Sequence, residues 1–143
     1  MNTLKHLLIT TLAIAGLALA AGCKHIVLDN TGKNIGAFNF GEFSGRLNTF
    51  APVVAPVARD AAKRLGLVEV AVTERKFENL IVCHDEGGLE VKILVVEVNS
   101  RQTELRIRWG KGGDLERSRQ LYSLVDAALT SSGAQAAGAR DAR

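Results

Sequence analysis

The sequence predicts an α+β domain: a mostly antiparallel sheet of 4–5 strands with two helices packed on one face. Three observations carry this expectation. Apolar and polar residues alternate from Val68 to Thr73 and from Glu104 to Trp109, the period of half-buried strands. Two apolar stripes recur at helical spacing, one before and one after the strand-rich middle. Short turn-forming clusters, Glu86-Gly87-Gly88 and Asn99-Ser100-Arg101-Gln102, separate successive strands as in a meander.

At the N-terminus Lys5 precedes an apolar run from Leu7 to Ala21, broken by Thr10 and Thr11. The run is shorter than the roughly 20 residues that span a bilayer. It ends in Leu19-Ala20-Ala21-Gly22-Cys23, small residues followed by a cysteine. The segment resembles the lipobox of a bacterial prolipoprotein, so residues 1–22 are expected to be a lipoprotein signal peptide. That resemblance implies a diacylglyceryl thioether on Cys23 and an acyl chain on its amine. Two or more chains anchor a protein stably where one does not. Polar Lys24-His25 follows at once, which opposes a membrane-spanning or buried helix. Lys24 stands where an Asp signals inner-membrane retention, which leans toward the outer membrane, facing the periplasm.

Residues 23–35 are expected to form a tether, with turn formers Asp29-Asn30-Thr31-Gly32. A single strand is expected over 36–47, its glycines marking twist or a bulge. A helix follows from about Phe50 to Leu65. Asn48 or Thr49 can cap it, Pro52 is tolerated in its first turn, and Pro56 either kinks it or starts it. Val54, Val57, Ala58, Ala61 and Leu65 form its stripe, and Gly66 suits the C′ position. Val68 to Thr73, Leu80 to His84, Leu89 to Val98 and Glu104 to Trp109 read as strands. Asp114 caps a last helix whose apolar face is Leu115, Leu121, Tyr122, Val125, Ala128 and Leu129. Residues 36–129 therefore make one domain, and the polar, Ala-rich residues 130–143 read as a disordered tail.

Thr103 to Trp109, then Gly113-Asp114, Ser118 and an apolar helix, together with Arg64-Leu65-Gly66-Leu67 at the end of the preceding one, resemble a family of short bacterial lipoproteins known as a domain of unknown function. The likeness covers residues 36–129. It implies the same fold and the same anchoring, and no catalytic or ligand-binding residue.

Chemistry-bearing residues are few. Cys83-His84-Asp85 names a nucleophile, a base and an orienter in sequence, but neighbouring strand residues point to opposite faces. Cys83 is expected to be a small buried residue, and with Cys23 acylated it has no partner for a disulfide. His25 and His84 lack any zinc-type spacing, so no metal and no cofactor is expected. Gly110-Lys111-Gly112-Gly113 lacks the Walker spacing and reads as a turn into the last helix. The formal net charge of +3 is no nucleic-acid signature.

Ile93-Leu94-Val95-Val96 puts apolar groups on both faces of one strand. With a two-residue loop at 100–101, Leu94 and Val96 would join Leu105, Ile107 and Trp109 in the core. Ile93 and Val95 would then share the other face with Arg106 and Arg108, near Lys92. Two helices cover one face only, so that second face is the expected protein-partner surface. The reading is a lipid-anchored envelope protein that binds or scaffolds and is not an enzyme. The alternatives are a periplasmic enzyme of unidentified chemistry and a purely structural envelope protein.

Overall fold

The computed structural model describes residues 24–27 and 35–141, with side chains over 36–132. The expected signal peptide and Cys23 lie outside the described residues. The elements run β1 (Lys24–Val27), β2 (Ile35–Asn39), β3 (Glu42–Leu47), α1 (Ala51–Arg64), β4 (Val68–Glu74), β5 (Glu78–His84), β6 (Glu90–Asn99), β7 (Gln102–Trp109) and α2 (Leu115–Asp141).

The architecture is α+β, as the alternation and the stripes indicated. The strands form one antiparallel sheet in the order β1-β2-β3-β7-β6-β5-β4. It has seven strands where four to five were expected. Two reasons account for the difference. The expected single strand 36–47 is a hairpin, because Phe40 and Gly41 both take positive φ (49° and 78°) and reverse the chain in two residues. The expected tether also contributes a strand, since β1 pairs with β2 from Lys24 opposite Phe38 to Val27 opposite Ile35.

Both helices lie over one face. Their stripes and the inward residues of four strands make a single core: Phe43 and Leu47 of β3, Ile81 and Cys83 of β5, Val91, Ile93 and Val95 of β6, and Leu105, Ile107 and Trp109 of β7. Val72 of β4 packs against it. Full burial of each large side chain contributes about 1.5–3 kcal/mol.

The α1 boundary differs from expectation. Neither Asn48 nor Thr49 caps the helix; Phe50 occupies the N-cap with no side-chain bond. Asn48 accepts instead from Gln102 (3.4 Å), and the Thr49 carbonyl accepts from the buried Thr103 hydroxyl (2.6 Å). These contacts tie the lead into α1 to the start of β7. Pro56 neither starts nor ends the helix, which runs through it. At the other end Gly66 (φ 76°) and Leu67 donate to the carbonyls of Lys63 and Ala62, the Schellman closure that Gly66 suggested.

Asp114 caps α2, accepting from the Arg117 amide at 3.0 Å. The helical backbone continues past Thr130 to Asp141, within the stretch expected as a tail. Alanine carries the lowest cost in a helix, and the hydroxyls of Thr130, Ser131 and Ser132 donate back to carbonyls of the preceding turn.

The largest correction concerns register. Val95 faces Leu105 and Ile93 faces Ile107, and all four are fully buried under the helices. Ile93 and Val95 are therefore core, and Leu94 and Val96 take the other face. The two-residue loop at Ser100-Arg101 is present, with Asn99 opposite Gln102. Val98, however, is an extra residue between Glu97 and Asn99, and this bulge moves every later partner by one. A one-residue shift exchanges the faces of the whole strand. The same device acts at Val70 in β4, so Val68 and Val70 are exposed while Glu69 and Val72 turn inward.

Candidate functional site

Pleat and register assign the face that neither described helix covers. Its middle rows read, from β4 to β3, Ala71, Val82, Lys92, Arg108, Glu42 and then Thr73, Leu80, Leu94, Arg106, Ser44. Val96 and Glu104 lie opposite each other in the next row. Leu80, Val82, Leu94 and Val96 are half-buried and contiguous. The apolar centre expected on this face exists, built from different residues. Leu80 and Val82 escaped the sequence reading; the signal was a run, Leu80 to Cys83, that is apolar on both faces.

Arg106 and Arg108 sit beside that centre, as expected. Each cation of the group has a carboxylate partner on the same face: Arg106 with Glu104 at 2.9 Å, Arg108 with Glu42 at 3.8 Å, and Lys92 with Glu90 at 3.0 Å. The hydrogen bond that Arg106 donates to Glu104 raises its pKa further and keeps it charged. Lys92 and Arg108 are direct cross-strand neighbours. Such like-charged pairs repel, and their divergence toward Glu90 and Glu42 relieves it. The face is therefore charge-balanced around an aliphatic patch.

Cys83, His84 and Asp85 do not converge. Cys83 points into the core opposite Val91, and burial pushes its thiol pKa up, away from the reactive thiolate. His84 leaves on the opposite face. Asp85 accepts the amides of Leu89 (2.8 Å) and Gly87 (2.9 Å) and one Arg117 nitrogen (3.1 Å). The Leu89 bond is the largest of several causes that hold its carboxyl below the usual range, against some desolvation. It is a turn clasp. Asp114 and Ser118 are structural too, since the buried Ser118 hydroxyl donates to the Asp114 carbonyl at 2.6 Å.

A cleft of about 500 Å³ lies between the end of α1 and the start of α2, lined by Leu65, Leu67, Asp85, Trp109, Arg117 and Gln120 among others. Arg117 stacks over the Trp109 ring at 5.2 Å. The buried Trp109 Nε1 has no hydrogen-bond partner among the described residues. Among the described residues no group of three His, Cys, Asp or Glu side chains comes together to hold a metal ion. No described helix is long and apolar enough to cross a membrane.

The model of the family described as protein of unknown function (DUF3568) matches residues 5–128. The chain belongs to this family. The family match takes in the apolar N-terminal run and Cys23 together with the domain, and stops within α2. No curated protein matches the chain.

Proposed function

We propose that the chain is a lipid-anchored lipoprotein of the bacterial envelope, held through Cys23 at the periplasmic side of the outer membrane, and that it works by binding a protein partner on the uncovered sheet face. The observation that carries the binding role is the one-sided fold. Two helices cover one face, while the other presents Leu80, Val82, Leu94 and Val96 beside ion-paired Arg106, Arg108 and Lys92.

Charge decides the class of partner. A surface for nucleic acid or an anionic polymer carries cations in excess. Here the cations are matched by Glu104, Glu42 and Glu90, so the favourable term is burial of the aliphatic centre. A protein surface with an apolar ridge and mixed rim charges fits that chemistry. Support for anchoring comes from the Leu19 to Cys23 pattern and from a family match that includes it.

Leu94→Glu places a charge at the centre of the patch without entering the core. Crosslinking in intact envelopes followed by purification should give a defined complex with the native protein and none with Leu94→Glu at equal abundance and thermal stability. An unchanged complex would remove the sheet face from the proposal.

A further inference from the structure

β1 fixes where the N-terminal segment meets the fold. Lys24 pairs with Phe38, two residues before the Phe40-Gly41 hairpin tip. Cys23 directly precedes Lys24 in the chain. The residue read above as the lipid carrier thus joins the domain at the hairpin end of the sheet. The turns at 75–77 and 100–101, with exposed Phe77 and Val98, are at the opposite end.

Phe40 stands at that hairpin tip and is 93% exposed, more than any other large apolar side chain described. Its φ of 49° is in the left-handed region, where a turn of this kind normally takes Asn, Asp or Gly. Both solvation and backbone preference oppose an aromatic here. A residue held against both is expected where it serves a function.

The tip is also closely seated on the 110–113 loop. A Cβ on Gly41 would stand 2.5 Å from the Gly112 carbonyl oxygen, and one on Gly113 would run into the Gly41 carbonyl. The hairpin and the 110–113 loop therefore meet backbone to backbone, which leaves Phe40 pointing outward next to a loop that carries exposed Lys111. An exposed aromatic ring with a lysine on the adjoining loop has the composition of a membrane–water boundary contact; Lys76 over the Phe77 ring shares it at the far end, and the Cys23 anchor decides between the two ends.

We propose that Phe40 is a membrane-contact residue, which enters the boundary between headgroups and acyl chains, with Lys111 at headgroup level. This rests on the anchoring of Cys23 argued above. Anchor and ring together give two points of contact at one end of the sheet. The strands then point at the bilayer, and the uncovered face looks along the membrane surface toward neighbouring membrane-associated proteins.

The test uses the full chain, processed in a bacterial host and reconstituted into phosphatidylethanolamine–phosphatidylglycerol vesicles that contain brominated lipids. Tryptophan emission added by Phe40→Trp, measured over the native protein, should shift to the blue and be largely quenched. Emission added by Phe77→Trp at the far end should be neither. Intact mass reports acylation separately. An acylated Phe40→Trp protein whose added emission is unquenched overturns the contact and leaves the anchor standing. A protein without acyl mass brings down the anchor itself. Quenching at Phe77→Trp alone would invert the orientation and overturn the contact as well. Phe40→Gly suits the positive φ and should fold at least as stably. Amide exchange at 40–42 and 110–113 should slow on vesicles in the native protein and not in Phe40→Gly; equal slowing in both contradicts the proposal.

Discussion

Val95 lies directly opposite Leu105, both fully buried, and this pairing sets which face of the sheet is core. It follows from a single unpaired residue, Val98. Val95→Glu should therefore unfold the domain, with a cost of about 4 kcal/mol or more for an unpaired charge in the core. Leu94→Glu, one residue away and on the open face, should cost under about 1 kcal/mol. Urea unfolding of the two variants checks this. A tolerated Val95→Glu would contradict the register.

Alternation, the Asp114 and Gly66 caps and the stripes were legible in the chain because each depends on local spacing; the start of α1 was not, since Asn48 and Thr49 bond to the start of β7 instead of capping. Asp114, Gly66 and both helix stripes lie where the spacing put them. The faces of β6 and β4 were not legible, since a bulge leaves no composition signal when the extra residue is another valine. Val98 and Val70 look like strand residues, yet each exchanges inside for outside. The Phe40-Gly41 reversal was hidden for a different reason: an aromatic in a left-handed turn runs against preference. Arg106 and Arg108 were placed on the open face. Their aliphatic neighbours were misassigned by the Val98 shift, and the carboxylates that balance them come from β3, β6 and β7 together.

The Tyr122 ring covers Gly45, where a Cβ would come 2.5 Å from the ring. Its hydroxyl donates to the Arg46 carbonyl at 2.6 Å, and its ring meets Phe43 edge-on at 5.5 Å. Gly45→Ala should push the ring off this seat and destabilise by about 1–3 kcal/mol. Thermal unfolding tests it. An unchanged or raised midpoint would mean that α2 shifts freely over β3.

Cys83→Ala should cost on the order of 1 kcal/mol through lost packing and leave partner association intact. Association assayed at normal protein abundance separates packing from chemistry. Loss of the complex with the fold preserved would give the thiol a chemical role.

Asp85 has a carboxyl pKa lowered in the folded state, chiefly by the Leu89 amide. A lowered folded pKa contributes stability above the unfolded carboxylate value, about 3.9. That contribution is lost as pH falls through the folded value. Asp85→Asn should therefore flatten the decline in melting temperature below about pH 4. Parallel profiles for the native and variant proteins would remove Asp85 as a source of acid sensitivity.

Anchoring through Cys23 is the claim on which orientation, compartment and partner access all depend. Its most direct measurement is the intact mass and membrane partition of the native protein beside Cys23→Ser, both expressed with the whole N-terminal segment. The account predicts a native protein cut before Cys23, heavier by its acyl groups and recovered with membranes, and a Cys23→Ser protein that gains no acyl mass. A native protein that carries no acyl group, or a Cys23→Ser variant processed and retained in the same way, would contradict it.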